Sequence, residues 1–284
     1  MDNSLNLPPL NIPTLLQQYG LHPIKRLGQN FLIDPIATQR IVESAGITHA
    51  DIVLEIGAGL GNLTRYLALV AKRVIAIEID NRLILPLKDV LSSYNNIEFI
   101  HDDILNLDLV DLVQDQPYLV TANIPYYITS SIIRHLLEST TPPQRIVLTV
   151  QREVAKRICA KPGKMNLLAL SVQVFGQPRI VAQIPKGAFY PIPKVDSAVV
   201  RADINPEPGI PSQYLDTFFN LIRAGFSQKR KTMRNSLAAN LPVSPDEIAK
   251  WLLSNGIDPH RRAETLYLDE WRQLAESYQH EFSS

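Results

Sequence analysis

Asn123-Ile124-Pro125-Tyr126 sets an amide, a proline and an aromatic ring side by side, directly after the apolar run 118–122. An asparagine carbonyl accepts hydrogen bonds from an NH2 group. Pro125 restricts the backbone before it, so the Ile124 carbonyl can point the same way. Tyr126 adds a face for stacking. Two acceptors and a ring describe a pocket for the exocyclic amine of a nucleobase. An Asn-x-Pro turn at a strand end also has a purely backbone explanation, so the weight rests on the residues upstream.

Upstream, Glu55-Ile56-Gly57-Ala58-Gly59-Leu60-Gly61 stands where an apolar run gives way to an amphipathic one. Glycines there allow a tight turn and a close approach of ligand to backbone. In the dinucleotide pattern G-x-G-x-x-G the third glycine comes three residues after the second, whereas here Gly61 comes two after Gly59. That spacing, with the acidic Glu55 beside it, argues against a pyrophosphate cradle. Glu78 lies about twenty residues on, where a carboxylate can take the hydroxyls of a ribose. Asp103 ends the next apolar run and can accept from the amine of an adenine. A neutral glycine turn and two carboxylates at successive strand ends suit S-adenosylmethionine, which carries adenosine and a sulfonium but no phosphate.

The elements that must position these residues follow from the periodicity. Apolar runs at 52–56, 74–77, 97–100, 118–122 and 146–150 alternate with amphipathic stretches at 62–71, 82–91 and 129–138. Strands alternating with helices predict a doubly wound, mostly parallel α/β sheet. In such sheets ligands bind beyond the carboxyl ends of the strands, where all four motifs fall. A helix over 153–160 and two closing strands over 179–184 and 195–204 complete the series. Asn205-Pro-Glu-Pro-Gly-Ile-Pro211 then interrupts the chain, and only helical patterns follow, at 214–224, 246–255 and 269–278. The expected organisation is an N-terminal extension over 1–22, a cofactor-binding domain over 23–205, a linker over 206–211 and a small helical domain over 212–284.

The 284 residues carry 28 basic and 28 acidic side chains, so the mean charge excludes nothing, but the local charge is segregated. Residues 51–115 hold eleven acids against five Lys and Arg; residues 145–164 hold six bases against Glu153; residues 217–245 hold five bases and no acid. Such a chain can present one face to a polyanion. The single Cys159 excludes an internal disulfide and a Cys-rich metal site, and no metal is expected. The first residues lack the pattern of a signal peptide, and no apolar run approaches the roughly 20 residues of a membrane span. A cytoplasmic protein without a membrane partner is the expectation, and nothing demands a dimer, so a monomer is expected.

Five ordered motifs resemble the ribosomal RNA adenine dimethyltransferases, which dimethylate two adjacent adenines near the 3′ end of small-subunit ribosomal RNA. They are Arg26-Leu-Gly-Gln-Asn-Phe-Leu32, the turn 54–61, Ala122-Asn-Ile-Pro-Tyr126, Phe189-Tyr-Pro-Ile-Pro-Lys-Val-Asp-Ser-Ala-Val199 and Phe226-Ser-Gln-Lys-Arg-Lys-Thr-Met-Arg-Asn235. The resemblance implies a Rossmann-like class I methyltransferase sheet with a C-terminal all-helical domain, acting on an immature small ribosomal subunit. By it, Asn30 and Leu32 close over S-adenosylmethionine, and Gly57 and Gly59 approach it. Glu78 takes its ribose and Asp103 its adenine. Asn123 bridges cofactor and target base, and Tyr126 and Phe189 sandwich the flipped adenine. Lys229, Arg230, Lys231 and Arg234 are expected to hold RNA phosphates, since clustered like charges repel unless a polyanion compensates. Leu167 and Leu168 stand where many bacterial members carry Tyr-Gly, which bears on how that loop meets RNA.

Rival readings are the class that methylates large-subunit ribosomal RNA, a DNA adenine methyltransferase and a noncatalytic ribosome-assembly factor. The motifs at 189–199 and 226–235 favour the small-subunit class.

Overall fold

The computed structural model of the chain describes residues 7–124 and 128–282. It begins with α1 (Ile12–Gln18), a two-residue strand β1 (Phe31–Leu32) and α2 (Pro35–Ala45), which Asp34 caps through the Ile36 and Ala37 amides. Strands and helices then alternate: β2 (Ile52–Ile56), α3 (Asn62–Val70), β3 (Arg73–Glu78), α4 (Asn81–Val90), β4 (Ile97–His101), α5 (Leu109–Val113), β5 (Tyr118–Asn123), α6 (Thr129–Leu137) and β6 (Arg145–Gln151). After α7 (Arg152–Ile158) and α8 (Leu167–Gln173) come β7 (Gly176–Ile184), the short β8 (Phe189–Tyr190) and β9 (Ser197–Ile204).

The main sheet has seven strands in the order β4-β3-β2-β5-β6-β9-β7. β2 through β6 pair in parallel, and β9 runs antiparallel to β6. The near-continuous apolar run of β2 has a direct cause: every one of its residues is buried, because helices cover both faces of a parallel sheet. β1 pairs antiparallel with β8, so the 189–199 motif is tied to the 26–32 motif. The chain lays β2, β3 and β4 outward in one direction and then places β5 on the other side of β2. This reversal opens a crevice between the ends of β2 and β5.

The remaining helices are α9 (Leu215–Phe226), α10 (Met233–Ala238), α11 (Pro245–Ser254) and α12 (Leu268–Phe282). Contacts divide the chain into two compact units, one of residues up to Ala155 with Arg179–Ile204, the other of Lys156–Pro178 with residues from Asn205 onward. Residues 156–178 thus pack with the C-terminal helices although they precede the proline-rich segment. The amides of Gly163 and Met165 donate to the Glu264 carbonyl, and the Phe175 and Phe219 rings stack 6.3 Å apart. Trp251 and Trp271 are fully buried in this unit. Among the described residues, no helix is long and apolar enough to cross a membrane.

Candidate active site

The ends of β2, β3, β4 and β5 open into one cavity, whose lining includes Gly57, Gly59, Glu78, Asp103, Asn123 and Ile124. The register explains the meeting. Ile56 stands opposite Ala122, so Gly57 and Asn123 leave the sheet side by side, and a Cβ at Gly57 would come 3.5 Å from the Asn123 carbonyl oxygen. Gly57 has φ of +81° and Gly59 +60°, left-handed values that favour glycine. A Cβ at Gly59 would stand 3.1 Å from the Phe31 ring.

Glu78 is buried at the end of β3, where the Gly59 amide donates to Oε2 at 2.7 Å and the Asp80 amide to Oε1 at 2.9 Å. Burial raises its pKa above the usual carboxylate value, and these backbone donors oppose the shift. A carboxylate offers about four lone-pair sites, so two bonds leave acceptor capacity toward the cavity. Asp103 caps the turn after β4 by accepting from the Leu105 amide at 3.0 Å. Its second oxygen is not used in that bond.

Asn123 is oriented by its own amide chemistry. Its Nδ2 donates to the Asn30 backbone carbonyl at 3.1 Å. A carbonyl accepts only from the NH2 end, so Oδ1 is left as the acceptor for another partner. Asn30 is in turn held by a 3.0 Å bond from its Nδ2 to the Gly28 carbonyl. Leu32 does not line this cavity. It borders a smaller one beside it, together with Glu55, Gly57, Gly59 and Asn123, and its carbonyl accepts from Asn62 Nδ2 at 3.0 Å.

Burial bears on two further residues. Glu55 is 1% exposed, and burial lifts its pKa to about 8, aided by the Glu78 charge and tempered by the nearby Thr64 hydroxyl. Its Oε2 and Thr64 Oγ1 are buried without a hydrogen-bond partner. Near neutral pH Glu55 is therefore mostly uncharged and does not repel phosphate. The bias against phosphate comes instead from Glu78, Asp102 and Asp103, in a cavity with no Lys or Arg among the described residues of its lining. Phe189, expected as a wall for the base, is 2% exposed and belongs to the core cluster that includes Leu32, Val53 and Val199. It lines neither of these two cavities; Tyr190, 36% exposed, is the aromatic that β8 turns outward. Tyr126 lies outside the described residues, as does Pro125.

In the helical unit, Lys229, Arg230 and Lys231 are exposed and none of them forms an ion pair with a described carboxylate. Arg234 differs: it bonds Asp246 at 2.7 Å and the Pro245 carbonyl at 3.1 Å. Gln29 and Asp80 carry no separate signal in the sequence, although both lie in or beside the motifs that mark the site. Gln29 lines the cavity, and Asp80 stands two residues beyond Glu78. Acidic hydrogen-bond acceptors and glycine backbone, with no cation among the described lining residues, fit an adenosine group without phosphates, and S-adenosylmethionine is the cofactor that these residues suit.

Comparison with known proteins agrees. Ribosomal RNA small subunit methyltransferase A of Dehalococcoides mccartyi (strain CBDB1) is 43% identical over 98% of each chain. Among solved structures, a dimethyladenosine transferase from Plasmodium falciparum superposes with a TM-score of 0.74 at 29% identity, covering 88% of this chain and 98% of that one. The 23S rRNA methyltransferase ErmE gives 0.69 at 29% identity, covering 87% and 99%. The model of the family described as "Ribosomal RNA adenine dimethylase" matches residues 22–280. This chain therefore belongs to the ribosomal RNA adenine dimethylase family.

Proposed function

We propose that the protein dimethylates N6 of two adjacent adenines in the 3′-terminal hairpin loop of small-subunit ribosomal RNA, acting in the cytoplasm as a monomer on an immature small subunit. The observation that carries this reading is the Asn123 amide, fixed by the Asn30 carbonyl with Oδ1 left to accept, at the mouth of a cavity holding Glu78 and Asp103. The small-subunit class is favoured over the large-subunit class by the motifs at 189–199 and 226–235 and by the name of the 43% identical relative.

Bound S-adenosylmethionine supplies a methyl carbon already activated by its sulfonium. Glu78 would hold the ribose hydroxyls, Asp103 the cofactor's adenine amine, and Gly57 and Gly59 the path toward the methionine half, which Asn30 and Leu32 would close. The N6 lone pair of a target adenine is delocalised into its ring and is a poor nucleophile. Acceptance of its N–H groups by Asn123 Oδ1 and the Ile124 carbonyl would favour a pyramidal nitrogen with its lone pair free to attack. Attack by that nitrogen would form the N–C bond as the sulfur–methyl bond breaks, and the nitrogen would then give up one proton to water or a carboxylate. Orientation and electrostatics supply the rate. A second round on the same nitrogen yields the dimethyl product. Tyr126 would stack on the extruded base, returning ~1–3 kcal/mol of the unstacking cost. Lys229, Arg230 and Lys231 would hold the RNA backbone, with Arg234 shared with Asp246.

Asn123→Ala should lower methyl incorporation by about 10²–10³-fold, the scale of losing one preorganised polar contact in an active site. RNA affinity by filter binding should stay within about threefold, a difference of about 0.6 kcal/mol. Equal losses in both assays would remove Asn123 from the chemical step.

A further inference from the structure

The segment before α2 is fastened to the end of β3 by one side chain of the 26–32 motif, Gln29. Gln29 spans the gap with both ends of its amide: Oε1 accepts from the Ile24 amide at 2.7 Å, and Nε2 donates to Asp80 Oδ2 at 2.7 Å. Asp80 is itself buried and fully engaged. Arg82 donates through Nε to Oδ1 at 2.9 Å and through Nη2 to Oδ2 at 2.7 Å, while the Asp80 amide donates to Glu78 Oε1 at 2.9 Å. These side-chain donors, Arg82 foremost, hold the Asp80 carboxyl below its usual range, so it is a fixed negative anchor. Leu27, Gly28, Gln29, Asn30 and Phe31 form one wall of the cavity that Glu78 and Asp103 line from the other side. The same wall carries the Asn30 carbonyl that orients Asn123.

We propose that Gln29 and Asp80 form a positioning latch, which locks the wall 27–31 onto the end of β3 and so sets the affinity of the site for the adenosine part of its cofactor. The latch rests on the cofactor reading of Glu78 given above. It is polar in one sense only. Gln29 cannot turn its amide over, because that would set NH2 against the Ile24 N–H. A carboxylate at 29 would still accept from the Ile24 amide but would face the Asp80 carboxylate, so Gln29→Glu breaks the Asp80 bond alone. Gln29→Lys does the reverse: it keeps a donor for Asp80 and gives up the bond from Ile24.

The test is calorimetric binding of S-adenosylhomocysteine to the full chain. Gln29→Glu should weaken binding by about tenfold, the scale of one buried polar group left unpaired. Gln29→Lys should bind more tightly than Gln29→Met, a recovery expected only if position 29 donates to the Asp80 carboxylate. Gln29→Met, which removes both bonds without adding charge, should also weaken binding and covers the case in which a charged variant does not fold. Gln29→Glu and Gln29→Met that bind like the parent, or Gln29→Lys binding no better than Gln29→Met, would overturn the latch. Glu78→Ala, measured alongside, separates the two readings. Unchanged affinity there would overturn the cofactor site itself, whereas lost affinity there with Gln29→Glu and Gln29→Met unaffected would overturn only the latch.

Discussion

Glu55 shows how burial sets the chemistry of a single residue in this site. Its pKa stands at about 8 rather than the usual 4.5, so the folded protein keeps a proton that the unfolded chain gives up. Stability contributed by that proton is present at low pH and falls as pH rises from about 4.5 to about 8, because over this window the native state binds more protons than the unfolded state. Glu55→Gln carries no such proton. Melting temperatures measured from pH 5 to pH 8.5 should show the parent losing ground to Glu55→Gln as pH rises. Glu78, shifted in the same direction, leaves some slope in both proteins. Parallel curves would mean that Glu55 ionises normally. At this scale the sequence marks the strand-end positions of Asn123 and Gly57, which the register brings side by side. The 189–199 motif favours Phe189 as a base wall over a core aromatic but carries no signal for its burial, which the packing of β8 against β1 sets in the folded chain.

The elements divide by how their environment is encoded. β2, β3, β5 and β6 are legible because burial on both faces demands a nearly unbroken apolar run, and the helices between them because one face must match the sheet. β1 and β8, two residues each, carry no period of their own and exist because residues 31–32 and 189–190 meet across the fold. The packing of residues 156–178 with the C-terminal helices is likewise non-local. The proline-rich segment 205–211 marks a change in composition, whereas the contacts of Met165 with Glu264 and of Phe175 with Phe219 leave no mark in composition. Within that helical unit α9 and α12 approach so closely that a Cβ at Gly225 would lie 2.4 Å from Trp271 Cη2. Trp271 is fully buried and has no free end to yield. Gly225→Ala should therefore destabilise the unit by about 1–3 kcal/mol through overpacking, despite the better helix propensity of alanine. Chemical denaturation measures this, and a variant as stable as the parent would show that α9 and α12 can separate at little cost.

For the whole molecule, a net charge of zero conceals a division of labour along the chain. Glu78, Asp102 and Asp103 line the strand-end cavity, where they are proposed to meet the adenosine cofactor, and Lys229, Arg230 and Lys231 stand exposed in the helical unit, where a polyanion would complete them. The acceptor role proposed for the Asn123 amide is one that a factor which only binds and inspects assembling subunits would not need. The most direct measurement supplies labelled S-adenosylmethionine to the protein with immature small ribosomal subunits that lack adenine dimethylation, and maps the modified nucleosides by mass spectrometry. Two adjacent 3′-end adenines carrying N6,N6-dimethylation, with label confined to them, is the predicted result. Binding of cofactor and subunits without incorporation, or label at other positions, would contradict it.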